Sequence, residues 1–289
     1  MFRVDIDGGA YDYCCSPSHK MGGGPVQVVL CLDGATPSTE GNMAKLTRLN
    51  SLVENRSRNT VVVYPYANRK RILQVGRYRF GTCYSWNMKD TGLSPYDPEL
   101  RDDEAFLDGV IADLRTRFTF RDLSGAGFSE GGMVLQQYAI NRPGLLYRIA
   151  SVHGTCHGHE FDRIGADRSK LPEVLIVHSG RDRVLPWRGG RGLFTLLMPG
   201  AKASKPKLQA ERWAAVHGAT PEMPEVNDTF IRTEYRTAAG RPVVIQYFVP
   251  KGAHAWDGSE MGSWIFGRPL PWHKFDVSQI VWKFLTNSP

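Results

Sequence analysis

Two short runs constrain the fold more than anything else in the chain. Residues 26–32 read VQVVLCL and residues 60–64 read TVVVY. Each is continuously apolar and β-branched, and each is closed by turn formers: Gly24-Pro25 before the first, Asp33-Gly34 after it, and Pro65 after the second. A strand that is apolar at every position is buried on both faces, which is the mark of a parallel sheet covered by helices. Between the runs, Met43, Leu46, Leu49, Leu52 and Val53 recur at near-helical spacing over residues 42–55. Strand, helix, strand is the crossover unit that parallel pairing requires, and the crossover is right-handed.

The alternation continues. Residues 102–118 predict a helix with Asp102 and Asp103 in its first turn, Arg115 and Arg117 in its last, and an apolar face of Phe106, Leu107, Val110, Ile111 and Leu114. Strands are predicted over residues 123–128, 147–152, 174–177 and 243–249. Helices are predicted over 131–141, 208–217 and 277–285. Residues 69–100, rich in Gly, Tyr and Pro and without a clean period, read as one long functional loop. The expected architecture is therefore α/β, one domain over residues 1–289, with a mainly parallel central sheet and helices on both faces.

Composition excludes several classes. Of 289 residues, 42% are hydrophobic and 22% charged, as in ordinary globular chains. The net charge of +7 comes from scattered Lys and Arg, with no basic stripe interleaved with aromatics, so no nucleic-acid partner is expected. No apolar window is long enough to span a bilayer, and the first ten residues carry no apolar signal segment. The expectation is a cytoplasmic protein without a membrane partner, or a secreted one whose leader has been removed. Five cysteines at irregular spacing predict free thiols, with one disulfide among Cys14, Cys15, Cys31 and Cys83 as the alternative.

The chemistry is concentrated in Gly127-Phe128-Ser129-Glu130-Gly131, placed between a predicted strand and a predicted helix. Gly-x-Ser-x-Gly in that context is a nucleophile elbow: the Ser sits on a sharp, strained turn and the flanking glycines admit close backbone. A Ser hydroxyl needs a general base, and the base an orienting carboxylate. In chain order, Asp182 follows the strand at 174–177 and His254 follows the strand at 243–249. Both positions lie past strand carboxyl ends, where sites of open α/β sheets form. Asp162, Asp167, His217 and His273 are rivals without that placement. Two backbone N–H groups should stabilise an oxyanion: that of Glu130 and, at the exit of the first apolar strand, that of Ala35 in preference to Gly34.

Trp86, Trp187 and Trp256 fall in loops at the same predicted end and are candidate substrate contacts. The run His153-Gly154-Thr155-Cys156-His157-Gly158-His159-Glu160 holds ligand-type side chains but matches no standard metal spacing, so it reads as a polar loop beside the site.

These blocks, taken in order, resemble the polyhydroxybutyrate depolymerase and feruloyl or acetylxylan esterase-like group of α/β-hydrolases. The resemblance rests on Val61-Val62-Val63-Tyr64-Pro65, the elbow with Gly132-Met133 after it, the acid loop with Val184-Leu185-Pro186-Trp187, and Gly252-Ala253-His254-Ala255-Trp256. It implies a serine esterase with Ser129, Asp182 and His254 as its triad, no metal or organic cofactor, and a polyhydroxyalkanoate-, feruloyl- or acetyl-type ester, polymeric or small, as substrate. Two positions depart from the group: Asp33-Gly34 stands where His-Gly is usual, and Glu130 where an amide residue is common. Two alternatives keep the fold: an acyltransferase, thioesterase or cyclising enzyme of a cytoplasmic pathway, and a catalytically silent binding protein.

Overall fold

The computed structural model describes residues 1–6, 8–16, 24–35, 43–56, 59–75, 77–89, 96–156, 161–165, 168–190, 192–193, 196, 204–260 and 267–287. In chain order the first half contains β1 (Phe2–Ile6), β2 (Gly9–Cys15), β3 (Val26–Leu32), α1 (Met43–Thr47), α2 (Leu49–Arg56), β4 (Thr60–Pro65), β5 (Arg69–Val75), β6 (Tyr78–Ser85), α3 (Asp103–Arg117), β7 (Phe120–Phe128) and α4 (Glu130–Asn141). The second half contains β8 (Arg148–Val152), β9 (Glu173–Ser179), α5 (Gln209–His217), β10 (Thr220–Pro221), β11 (Glu225–Val226), β12 (Ile231–Arg236), β13 (Pro242–Val249) and α6 (Val277–Thr286).

One large sheet runs β1-β2-β4-β3-β7-β8-β9-β13-β12-β10, with β11 paired to β12. Its centre, from β4 through β13, is parallel. Antiparallel strands extend it at both edges: β1 and β2 beyond β4, and β12 with β10 and β11 beyond β13. The mainly parallel α/β sheet predicted from the sequence is therefore present.

The apolar runs are buried because side chains alternate between two cores. Val28, Leu30 and Leu32 of β3 point into the cluster that holds Phe106, Val110 and Ile111 of α3 and Val134 and Tyr138 of α4. Val29 and Cys31 point to the opposite cluster, with Leu52 of α2 and Val281, Trp282 and Leu285 of α6. α3 starts where its carboxylates predict: Asp102 caps it, its Oδ1 accepting from the backbone N–H groups of Glu104 and Ala105. α4 is buried from Glu130 to Ile140, on all sides.

Three regions differ from expectation. Residues 69–100 are not one loop: β5 and β6 form an antiparallel hairpin of their own. The helix predicted over residues 42–55 is two helices, broken at Arg48, whose φ is 53°. β1, β2 and β12 are strands that the apolar-run criterion missed, because β1 and β12 carry charged residues at alternate positions and β2 is interrupted by Asp12. All five cysteines are free thiols. Among the described residues no helix is long and apolar enough to cross a membrane.

Candidate active site

Four adjacent parallel strands deliver the site from their carboxyl ends. β7 leads into Ser129, β8 into His153, β9 into Asp182, and β13 into His254. Ser129 has φ 52° and ψ −117°, a left-handed conformation that an L-residue adopts only when its surroundings impose it. Its backbone N–H donates to the Val152 carbonyl at 2.8 Å, and its own carbonyl accepts from Gly132 at 3.0 Å and Met133 at 3.2 Å. The elbow glycines follow from space. A Cβ on Gly127 would lie 2.3 Å from the Gly131 carbonyl oxygen, and one on Gly131 would lie 2.3 Å from that of Leu32.

The predicted acid, base and hydroxyl come together. His254 Nε2 lies 3.0 Å from Ser129 Oγ, and His254 Nδ1 lies 2.8 Å from Asp182 Oδ2. A carboxylate only accepts, so Nδ1 carries the proton and Nε2 presents its lone pair to the hydroxyl. The rival groups are elsewhere. His217 Nε2 bonds the Pro172 carbonyl at the far end of α5, while His273 and Asp162 are exposed. Asp167 lies outside the described residues.

Asp182 is fixed from every side. Its Oδ1 accepts the backbone N–H groups of Val184 and Leu185, each at 2.8 Å. Its loop is tied to that of His254 by Gly180 N–H to Val249 and Arg181 N–H to Gly252. Burial would raise the pKa of this carboxyl. The facing His254, hydrogen bonds from His153 and His254, and the nearby His178 outweigh it and hold the pKa well below the usual carboxylate range.

His153 is the residue that the sequence did not assign. Its Nδ1 also lies 2.8 Å from Asp182 Oδ2, so one carboxylate oxygen receives two imidazoles. The signal available was only its place just after a strand. His178 is a third buried imidazole. Its Nε2 donates to the Leu185 carbonyl at 2.8 Å and lies 3.3 Å from Asp182 Oδ2. Burial lowers the pKa of His153, and it pushes that of His178 down to about 3. The donor atoms of His153, Asp182 and His254 are of metal-ligand type and lie within 4.8 Å of one another. They are committed to each other, and a cation there would have to displace the hydrogen bonds that orient His254. Residues 157–160 of the same run lie outside the described residues.

The two unusual carboxylates are both accounted for. Asp33 Oδ1 accepts the Gly34 N–H at 2.9 Å, and Ala35 beside it is half-buried. Gly34 packs directly against Ser129, since a Cβ there would be 3.0 Å from that of Ser129. The Glu130 carboxyl is fully buried beneath the elbow, near Arg71 of the β5–β6 hairpin and the Trp86 backbone. No described group makes a well-formed hydrogen bond to either of its oxygens. Burial, only partly offset by Arg71, pushes its pKa up to about 8, so it is predominantly neutral at pH 7.

The tryptophans divide. Trp86 is 1% exposed and donates its indole N–H to the Asp33 carbonyl at 2.8 Å. Trp256 is 0% exposed, bonded to Ser278 and edge-on to Phe128. Neither presents a surface to substrate, contrary to the sequence expectation; both brace the loops from beneath. Trp187 is partly exposed, stacked on Phe248 at 4.5 Å, and keeps its candidacy.

No family model and no curated relative matches the sequence. Solved structures do. An acetyl xylan esterase from Aspergillus awamori aligns with a TM-score of 0.55 at 14% identity, over 84% of this chain and 88% of that one. An S-formylglutathione hydrolase from Agrobacterium tumefaciens aligns at 0.46 and 16% identity, over 69% of this chain and 80% of that one. A ferulic acid esterase aligns at 0.47 and 11% identity, over 63% and 78%. The first of these, with the strand order and the elbow, establishes that this chain has the α/β-hydrolase fold.

Proposed function

We propose that the protein is a serine esterase that cleaves a carboxylic ester through an acyl-enzyme. The observation that carries this is the unbroken chain Ser129 Oγ, His254 Nε2, His254 Nδ1, Asp182 Oδ2, with links of 3.0 and 2.8 Å. Ser129 Oγ attacks the ester carbonyl as His254 Nε2 takes its proton. Asp182 holds the imidazole in the required tautomer and faces the positive charge that forms on it. The backbone N–H groups of Glu130 and Ala35 receive the oxyanion, at the start of α4, where the helix dipole favours negative charge. The protonated imidazole then passes its proton to the leaving alcohol, and water repeats the sequence on the acyl-enzyme.

Acetyl and feruloyl esters are the first substrates to try. The sequence blocks resemble that group, and the solved structure that aligns over 84% of this chain is an acetyl xylan esterase. The test is a screen of p-nitrophenyl and feruloyl esters beside Ser129→Ala, with fluorophosphonate labelling. Wild type should label at Ser129 and turn over. Ser129→Ala should lose about 10⁴-fold or more in kcat. Full activity in Ser129→Ala would overturn the assignment.

A further inference from the structure

We propose that His153 is a positioning residue for the same reaction, acting through Asp182 to set both the orientation and the basicity of the carboxylate that serves His254. The inference rests on the triad proposed above.

The lone pairs of Asp182 are fully used. Oδ1 accepts two backbone N–H groups, and Oδ2 accepts one N–H from His254 and one from His153. A carboxylate held only by its backbone contacts and His254 could still rock about its Cβ–Cγ bond. Two imidazoles converging on Oδ2 from the ends of β8 and β13 remove that freedom. The built character of the contact is visible in its cost. His153 is 0% exposed and sits at φ 55°, pinned by its N–H to the Val177 carbonyl at 2.8 Å. The turn it occupies is packed tightly from behind. A Cβ on Gly154 would lie 2.7 Å from Gly132 of α4, and Gln209 holds the Gly154 carbonyl at 2.9 Å.

His153 donates through Nδ1, and its Nε2 makes no well-formed hydrogen bond among the described residues, although the Ala255 backbone faces the ring. Burial lowers its pKa and favours the neutral imidazole. The titratable groups facing it are Asp182, His254 and His178, the His254 ring at 5.1 Å and the His178 ring at 5.0 Å. When His254 takes the Ser129 proton, a second cation at His153 would oppose it, so a neutral donor is what the reaction needs there. A neutral N–H on Oδ2 also draws charge from the carboxylate. It weakens the pull of Asp182 on the imidazole proton and so lets His254 release that proton to the leaving group.

The variants are His153→Leu, which removes the donor, and His153→Asn, which tolerates positive φ and puts a side-chain N–H in place of Nδ1. The readout is the pH profile of kcat/KM for p-nitrophenyl acetate, with fluorophosphonate labelling of Ser129 in each variant. His153→Leu should move the acid limb to higher pH by about one unit and lower kcat about tenfold with little change in KM. His153→Asn should return the limb to within a few tenths of wild type. A His153→Leu profile that overlays wild type would overturn the proposal. So would an Asn variant shifted as far as Leu, because loss of packing alone would then explain both. Failure of wild type to label at Ser129 would instead remove the triad itself, a separate outcome from a labelled enzyme with an unmoved profile.

Discussion

Glu130→Gln isolates the buried carboxyl beneath the turn at Ser129. The substitution keeps the shape of the side chain and removes its titration. In the folded protein the carboxyl is raised from 4.5 to about 8, chiefly by burial. The folded state therefore binds this proton more tightly than the unfolded chain does. The resulting stability is fully present below pH 4.5 and is lost as pH rises through about 8. Each pH unit of that interval carries about 1.36 kcal/mol, giving a ceiling on the order of 5 kcal/mol between pH 4.5 and 8. Glu130→Gln has no such loss. Urea denaturation of both proteins at pH 5, 7 and 9 is the assay. The two should be close at pH 5, and the variant should be more stable by several kcal/mol at pH 9. Stability curves that run parallel across the range would refute the argument, since they would mean the carboxyl reaches water or a partner when ionised.

Three further predictions follow from the same geometry. Gly131→Ala should displace the end of β3 or prevent folding, because its Cβ would sit 2.3 and 2.5 Å from the Leu32 and Asp33 carbonyl oxygens; soluble yield and ester turnover read this, with a loss of about 100-fold or more in turnover expected. Arg101→Ala should lower stability by about 3–5 kcal/mol in denaturant titrations, because Asp103 would be left buried without the partner now 2.6 Å away. Asp257, three residues after His254, is raised to about 7 by burial, with Oδ1 on the Leu270 N–H and Oδ2 without a described partner. Its contribution is complete below pH 3.8 and lost as pH rises through about 7, so Asp257→Asn should flatten the fall in Tm between pH 5 and 8.

What could be read from the chain follows from where the information lies. β3 and β4 were legible because burial on both faces leaves an unbroken apolar run, and α3 because its cap and its 3.6-residue face are local. The elbow was legible because strain forces glycine at fixed offsets from the serine. The hairpin of β5 and β6 was not: RKRILQV and YRFGTCYS pair only with each other, and the consecutive Arg69-Lys70-Arg71 of one strand and the lone Arg79 of the other give no alternating period. β12 alternates as IRTEYR and is held by pairing with β13, a contact that no local pattern states. His153 reaches Asp182 only because β8 lies between β7 and β9. Chain position alone gives it no role, whereas strand order does. The tryptophans show the converse error, since a loop position in sequence says nothing about which face of the loop a ring takes.

The same strand order sets which charged groups lie near Ser129. Three carboxyl groups lie close to Ser129: Asp182 through His254, Glu130 next in sequence, and Asp33 at the neighbouring strand end. Uncompensated, two extra negative charges beside an oxyanion would oppose its formation. Glu130 is turned under the elbow towards Arg71 and is predominantly neutral at pH 7, while Asp33 spends Oδ1 on the Gly34 N–H. The bond from Gly34 to Asp33 commits the Gly34 N–H, and the proposed mechanism therefore takes its second oxyanion donor from Ala35, one residue further along. Asp33→Asn keeps an acceptor on Gly34 and leaves that geometry in place. Asp33→Ala releases the Gly34 N–H towards the site and should alter kcat more than KM for an acetyl ester. Equal kinetics in the two variants would mean that Gly34 and Asp33 stand outside the path of the oxyanion.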